Sequence, residues 1–367
     1  MDLDLLRPLY TATPGDVVSV HLDTSREDQD ADKRLELTWR DLRRDLAAQG
    51  VGEETLEALD GQVGSAPHIV GPQGESLFAA NGKILGSFAL SEPPAASRGV
   101  VGLVADPLET VLDLDHQLPY IVIALDREGG DIDAYPAGAF DPESSRTYDG
   151  TTLHLSRVGA GGPSMASYHR RAVNAWTDNA AGVAREAAEA ATGVDARVAV
   201  IAGDPKAIPL LREELAAQGL GAEIVEVPGG RRDDAAAAMR EAVEYALADI
   251  SRADHERMMT AYSDALGRNR AVHGIPAVID ALARGSVDTL LLSADRSADP
   301  MKWATAEDAM LIASAPEALG EYGEKAFEGK AGPLMLRAAA AGGASFSELL
   351  PGVEADDGCA AILRYAK

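Results

Sequence analysis

From Tyr120 onward the chain alternates short apolar runs with helical periodicity, and that alternation narrows the possible folds more than any other feature. Tyr120 to Leu125, the turn at Arg127-Glu128-Gly129-Gly130 and Asp131 to Tyr135 read as a β-hairpin. A long helix follows, with Met165, Tyr168, Ala172, Trp176, Ala180, Val183 and Ala187 on one face. Next come a strand at Arg197–Ile201, a helix near Pro209–Gln218, a strand at Glu223–Val227 and a long helix from Asp233. Strands and helices in this order predict a layered α/β domain, because each sheet face needs a helix to cover it.

The flanking segments read differently. Val17 to Leu22 is a strand, and the helix Asp32–Gln49 carries Leu35, Trp39, Leu42 and Leu46 on one face. Short strands around Pro67–Val70, Ser76–Ala80 and Ile84–Ala89 are separated by glycine-rich turns, and Pro93-Pro94 marks a loop. Beyond residue 250, a helix at Ile275–Ala283 is stopped by Gly285, a strand runs over Val287–Leu292, helices are expected near Thr305–Ala313 and Leu334–Ala341, and Ala360–Tyr365 closes the chain as a strand. With 367 residues, more than one core is required, and the boundaries fall near 116 and 250: domains 1–116, 117–250 and 251–367.

Composition excludes several functions. The single cysteine, Cys359, forbids an intramolecular disulfide, and no apolar run is long enough for a bilayer, so a cytoplasmic protein is expected. The seven histidines are scattered and form no H-E-x-x-H motif, and there is no P-loop or G-x-S-x-G elbow; no metal, cofactor or catalytic residue is expected. The balance of 33 basic against 59 acidic residues gives a net charge of −26, which argues against DNA and against general nucleic-acid affinity.

One stretch breaks the acidic rule. From Thr151 to Trp176 there is no Asp or Glu, while His154, Arg157, His169, Arg170 and Arg171 are present. Within it, Gly159, Gly161 and Gly162 allow close backbone approach, and Ser164 is placed to cap the helix that follows. A helix N-terminus beside arginines suits phosphate, although the same residues also describe a plain helix-entry loop.

Arg270-Ala271-Val272-His273-Gly274-Ile275 with Val278-Ile279-Asp280-Ala281-Leu282 and Gly285 to Ser293 resembles the opening of the C-terminal domain of archaeal and eukaryotic class-1 release factors and Pelota. Gly358 to Tyr365 is similar to the way those domains end. The resemblance implies three domains: a β-rich N-terminal domain near the decoding centre, a ribonuclease-H-like middle domain, and a C-terminal α/β/α sandwich like kink-turn-binding ribosomal proteins. It also identifies Gly161-Gly162 with the family's Gly-Gly-Gln loop, Ser164 with the serine after it, and Tyr168 and Arg170 with the aromatic and arginine of the following helix. Pro163 stands where release factors carry glutamine, and proline has neither a side-chain amide nor a backbone N–H. The pattern most resembles the bacterial branch with Balon-type hibernation factors. It implies a ribosomal A-site factor that does not release peptide, contacts rRNA or tRNA through Arg157, Gly159, Gly161, Gly162, Pro163, Ser164, Tyr168, His169, Arg170 and Arg171, and has a translational GTPase such as EF-Tu as partner. Two alternatives stay open: an enzyme that cleaves tRNA or hydrolyses peptidyl-tRNA with the Gly159–Ser164 loop, and a GTPase-binding adaptor acting off the ribosome.

Overall fold

The computed structural model describes residues 1–10, 16–26, 30–66, 71–151, 163–231 and 236–365. The strand expected at Pro67–Val70 lies outside the described residues. The chain forms two compact units: Met1–His116 together with Arg252–Lys367, and Gln117–Ser251.

The first stretch begins with the short helix α1 (Arg7–Tyr10), then β1 (Val17–Asp23), α2 (Ala31–Ala48), α3 (Glu53–Asp60), the hairpin β2 (Gly74–Ala80) and β3 (Lys83–Leu90), β4 (Arg98–Gly102) and α4 (Leu108–Asp115). The strands form an antiparallel sheet in the order β3-β2-β1-β4. Alternation along β1 sorts its side chains. Val18, Val20 and Leu22 join Trp39 and Leu46 of α2 and Leu56 and Leu59 of α3 in one core. Ser19 and His21 point to the opposite face, where His21 is fully buried. Its Nε2 lies 3.1 Å from the Asp106 carbonyl and must donate, so Nδ1, 2.8 Å from Ser76 Oγ, accepts. Burial pushes the His21 pKa down to about 3, with Arg98 adding to the effect.

The middle unit comprises β5 (Tyr120–Leu125), β6 (Gly129–Tyr135), β7 (Ser144–Asp149), α5 (Pro163–Gly193), β8 (Val198–Gly203), α6 (Ile208–Ala217), β9 (Glu223–Glu226) and the first part of α7 (Ala236–Gly267). The sheet runs β7-β6-β5-β8-β9, with β5, β8 and β9 parallel and β6 antiparallel to both its neighbours, a ribonuclease-H-like arrangement. Ile121, Ile123, Ile132, Ala199 and Ile201 face Val183, Ala184 and Ala187 of α5 and Leu211 and Leu215 of α6.

The last stretch, packed with the first, contains β10 (Ala271–His273), α8 (Ile275–Ala283), β11 (Val287–Leu292), β12 (Met301–Ala304), β13 (Ile312–Ala313), β14 (Phe327–Lys330), α9 (Ala331–Ala341), β15 (Ser345–Glu348) and β16 (Cys359–Leu363). The main sheet is ordered β10-β16-β11-β15, with α8 and α9 on one face and the end of α7, through Met259 and Tyr262, on the other. That is an α/β/α sandwich. Gly285, with φ at +63°, ends α8: its N–H reaches the Leu282 carbonyl and the Ser286 N–H reaches Ala281, a Schellman cap.

The helix expected near Thr305–Ala313 is absent; the segment is a connection from β12 that ends in β13, within a small antiparallel sheet ordered β13-β12-β14. Local side chains hold its backbone in turns: Thr305 Oγ1 accepts the Glu307 N–H at 3.3 Å and Asp308 Oδ1 accepts the Met310 N–H at 2.9 Å. Arg337 of α9 takes up the Thr305 carbonyl at 2.8 Å.

Candidate functional site

Helix α5 starts at Pro163, directly after the glycines. Proline is favoured there, since the N–H it lacks would have no partner in the helix. Ser164 therefore lies inside the first turn and is not the N-cap residue the sequence predicts. Ser164, Tyr168, His169, Arg170 and Arg171 follow along the first turns of α5, and Arg157, Gly159, Gly161 and Gly162 lie outside the described residues.

What the structure brings together is the base from which this stretch leaves. Three pieces of the middle unit meet there: the β5–β6 turn, the end of β7 and the middle of α5. Asn179 of α5, only 3% exposed, is the joint. Its Oδ1 accepts the Thr151 N–H at 2.9 Å, and its Nδ2 donates to the carbonyls of Arg127 at 2.8 Å and Thr151 at 3.3 Å. Both polar atoms are used in the only orientation that satisfies a donor and two acceptors. Thr151 is thus held on its N–H and its C=O, by the helix that begins after the intervening segment.

The turn itself is closed by Asp126, whose Oδ1 accepts the N–H groups of Glu128 at 2.7 Å and Gly129 at 3.0 Å, and the Gly150 N–H reaches the Glu128 carbonyl at 2.7 Å. One turn beyond Asn179, Gly182 lets the Tyr148 ring lie directly on α5; a Cβ at that position would overlap the ring.

Charge at this base is paired internally. The Arg127 guanidinium stacks 4.8 Å from the Trp176 ring centre, and its Nε lies 2.8 Å from Asp204 Oδ2. The Lys206 N–H, together with Arg127, holds the Asp204 carboxyl below the usual range. Arg231 grips Asp131 with two hydrogen bonds, 2.9 and 3.1 Å, and reaches Asp149 at 3.3 Å. Among the described residues no group of three His, Cys, Asp or Glu side chains is disposed to hold a metal ion. The arrangement is a mount held together by hydrogen bonds and ion pairs within the middle unit.

Asn179, Arg127 and Arg231 are absent from the residues chosen on sequence. Their partners lie 28, 52 and 100 positions away, so no local spacing marks them.

The family model of bacterial archaeo-eukaryotic release factor family 2 matches residues 119–268, which span the middle unit and the rest of α7. Over that stretch the chain is similar to the bacterial release-factor-like proteins. Along nearly its whole length the chain is also similar to two Mycobacterium tuberculosis proteins, uncharacterized protein Rv2629 of strain H37Rv and uncharacterized protein MT2704 of strain CDC 1551 / Oshkosh. Each is 27% identical over 369 residues, covering 97% of this chain and 95% of the relative. Among solved structures, Saccharomyces cerevisiae Dom34, a translation termination-like factor interacting with Hbs1, aligns at 10% identity over 100% of this chain and 93% of its own, with a TM-score of 0.41. The archaeal translation termination factor aRF1 aligns at 17% identity over 98% and 96%, with a TM-score of 0.26. Archaeoglobus fulgidus Pelota aligns at 12% identity over 99% and 92%, with a TM-score of 0.32.

Proposed function

We propose that the protein is a cytoplasmic translation factor that occupies the ribosomal A site without releasing peptide, acting in ribosome hibernation or rescue as Balon-type factors do. The observation that carries this reading is Pro163: in the unit matched by the release-factor family, it follows the two glycines and opens α5. A residue without side-chain amide or N–H cannot place water against an ester or donate to its oxyanion. The acid-free run from Thr151 to Trp176 supports an RNA-facing role for Arg157, Arg170 and Arg171 in a chain of net charge −26. A translational GTPase such as EF-Tu is the partner this reading adds; Dom34 is described as interacting with Hbs1, and archaeal Pelota is described as ribosome-bound together with ABCE1.

Co-sedimentation with vacant ribosomes over a salt series tests the reading. The parent pellets with ribosomes, and Arg157→Ala with Arg170→Ala and Arg171→Ala weakens binding and flattens the log–log salt slope by about 2. Pro163→Gln binds like the parent and releases no peptide above background from ribosomes holding peptidyl-tRNA, because the residues after it, Met165, Ala166 and Ser167, are not those that seat the glutamine in release factors. Shortened tRNA or freed peptide with the parent protein would establish an enzyme instead. Failure to pellet at any salt, with retained GTPase binding, would establish an off-ribosome adaptor.

A further inference from the structure

Among the described residues, a helix covers only part of the second face of the middle sheet. Helix α7 packs Met239, Val243 and Leu247 against Val122, Val198, Val200 and Val225, which belong to β5, β8 and β9; no residue of β6 or β7 enters that core. On β6, Ile132 and Ala134 turn toward α5, so alternation sends Asp131, Asp133 and Tyr135 to the open side. The register sets Ser145 beside Asp133 and Thr147 beside Asp131, and both β7 residues are exposed. At one end the Tyr120 and Tyr135 rings stack at 4.6 Å and 8°.

This surface is strongly one-signed. Between Asp126 and Asp149 stand seven acids and two arginines. Arg127 is committed to Asp204, and Arg146 turns to the other face, where it pairs with Glu186 and Glu189 of α5. Asp133, Asp141 and Glu143 have no ion-pair partner among the described residues. Arg240 lies close enough to act on the Tyr135 hydroxyl. The lower end of the same face already takes a guanidinium, that of Arg231, between Asp131 and Asp149.

We propose that this half-face is a docking surface for a basic polypeptide segment of a partner protein, with lysine or arginine head groups at Asp133 and Glu143 and their aliphatic stems on the Tyr135 ring. Charge complementarity selects the occupant: the unpaired carboxylates repel phosphate, attract cations, and sit beside an aromatic ring that a long cationic side chain can cover. The inference stands apart from the RNA-facing role of the Arg157–Arg171 stretch and concerns a different surface of opposite sign.

Fluorescence anisotropy with the full chain tests it, using a labelled peptide of alternating lysine and serine, the same peptide with acetylated lysines, and a labelled oligouridine RNA. The lysine peptide is expected to bind and the other two are not. Asp133→Asn with Glu143→Lys should weaken binding about tenfold, as expected for several lost charge pairs. Asp141→Lys with Glu143→Lys, both at exposed positions, gives the same loss if the first variant folds poorly. A control away from the face, Glu213→Lys with Glu223→Lys, which changes the charge by as much as the Asp141→Lys, Glu143→Lys pair does, should change binding by no more than about twofold. Equal losses in face and control variants, equal binding of the acetylated peptide, or RNA bound in competition with the lysine peptide would each overturn the proposal.

Discussion

Replacing Asn179 separates what its amide does from what its volume does. In Asn179→Ala three hydrogen bonds vanish. Thr151 is exposed, so water can take up its N–H and C=O, while the half-buried Arg127 carbonyl is less easily satisfied. At about 1 kcal/mol per net bond, the cost is about 2–3 kcal/mol. Asn179→Asp keeps the acceptor for the Thr151 N–H but turns an oxygen toward the carbonyls of Arg127 and Thr151, where the native amide donates. An ionised carboxylate there is buried against two acceptors, so at neutral pH Asn179→Asp should be worse than Asn179→Ala. Protonation restores one donor. The folded-state pKa of the new carboxyl is therefore raised, the native state binds the extra proton, and stability falls as pH rises above about 4. The ranking of the two variants should thus reverse between about pH 7 and pH 4, with the aspartate variant recovering to within about 1 kcal/mol of the parent in acid. Denaturant unfolding at both pH values, with hydrogen exchange of the Thr151 amide as the local readout, measures this. An Asn179→Asp variant whose deficit is the same at both pH values would refute the assignment of donor and acceptors.

Gly182→Ala should destabilise the middle unit by about 1–3 kcal/mol because its Cβ displaces the Tyr148 ring, whereas in a Tyr148→Ala background the same substitution should be neutral or stabilising through the helix preference for alanine, measured by thermal unfolding. His21, neutral when folded with a pKa of about 3, should cost the unit formed by the two chain ends several kcal/mol as pH falls from about 6.5 toward 3, since the unfolded chain takes up the proton first; His21→Gln should flatten that acid limb. Burial works against the charge on Asp115, yet hydrogen bonds from His255 at 2.8 Å and the Glu348 N–H at 2.8 Å, with the Met1 ammonium, hold its carboxyl below the usual range. Its contribution is present above about pH 4 and fades below it, so Asp115→Asn should lose about 3 kcal/mol at neutral pH and nothing further in acid, read by denaturant titration.

Periodicity made much of the fold legible. Trp39 and Leu46 are buried where the 3.6-residue spacing puts them, the Tyr120–Tyr135 hairpin forms, and Gly285 caps its helix. Helix α3 carries no such signal beyond Leu56 and Leu59, and α4 hides its helical character in Val111-Leu112-Asp113-Leu114, a run too short to show a period. Thr305–Ala313 has helix-compatible residues, but Thr305 and Asp308 bond their own backbone and Arg337 takes a carbonyl from it, interactions that only the folded chain supplies. At the candidate site the sequence points to the stretch that departs from the acidic average, because charge composition is local. The mount beneath it depends on Asn179 meeting Thr151 and Arg127 across turns of chain, and nothing in the neighbouring residues announces that.

The unit built from both chain ends has a consequence for synthesis. Leu3, Leu6 and Leu9 share a core with Val278, Leu334 and Leu363, and Asp2 bridges Ser345. A nascent chain emerging from the ribosome cannot bury its first leucines until the last strand has been made. The middle unit, complete once Ser251 is out, can close while its host is still waiting. During translation the early leucines are exposed apolar surface of the kind that holdase chaperones bind. A stall or truncation before Cys359 should leave a folded insert on an open frame, resistant to protease only between about residues 117 and 251.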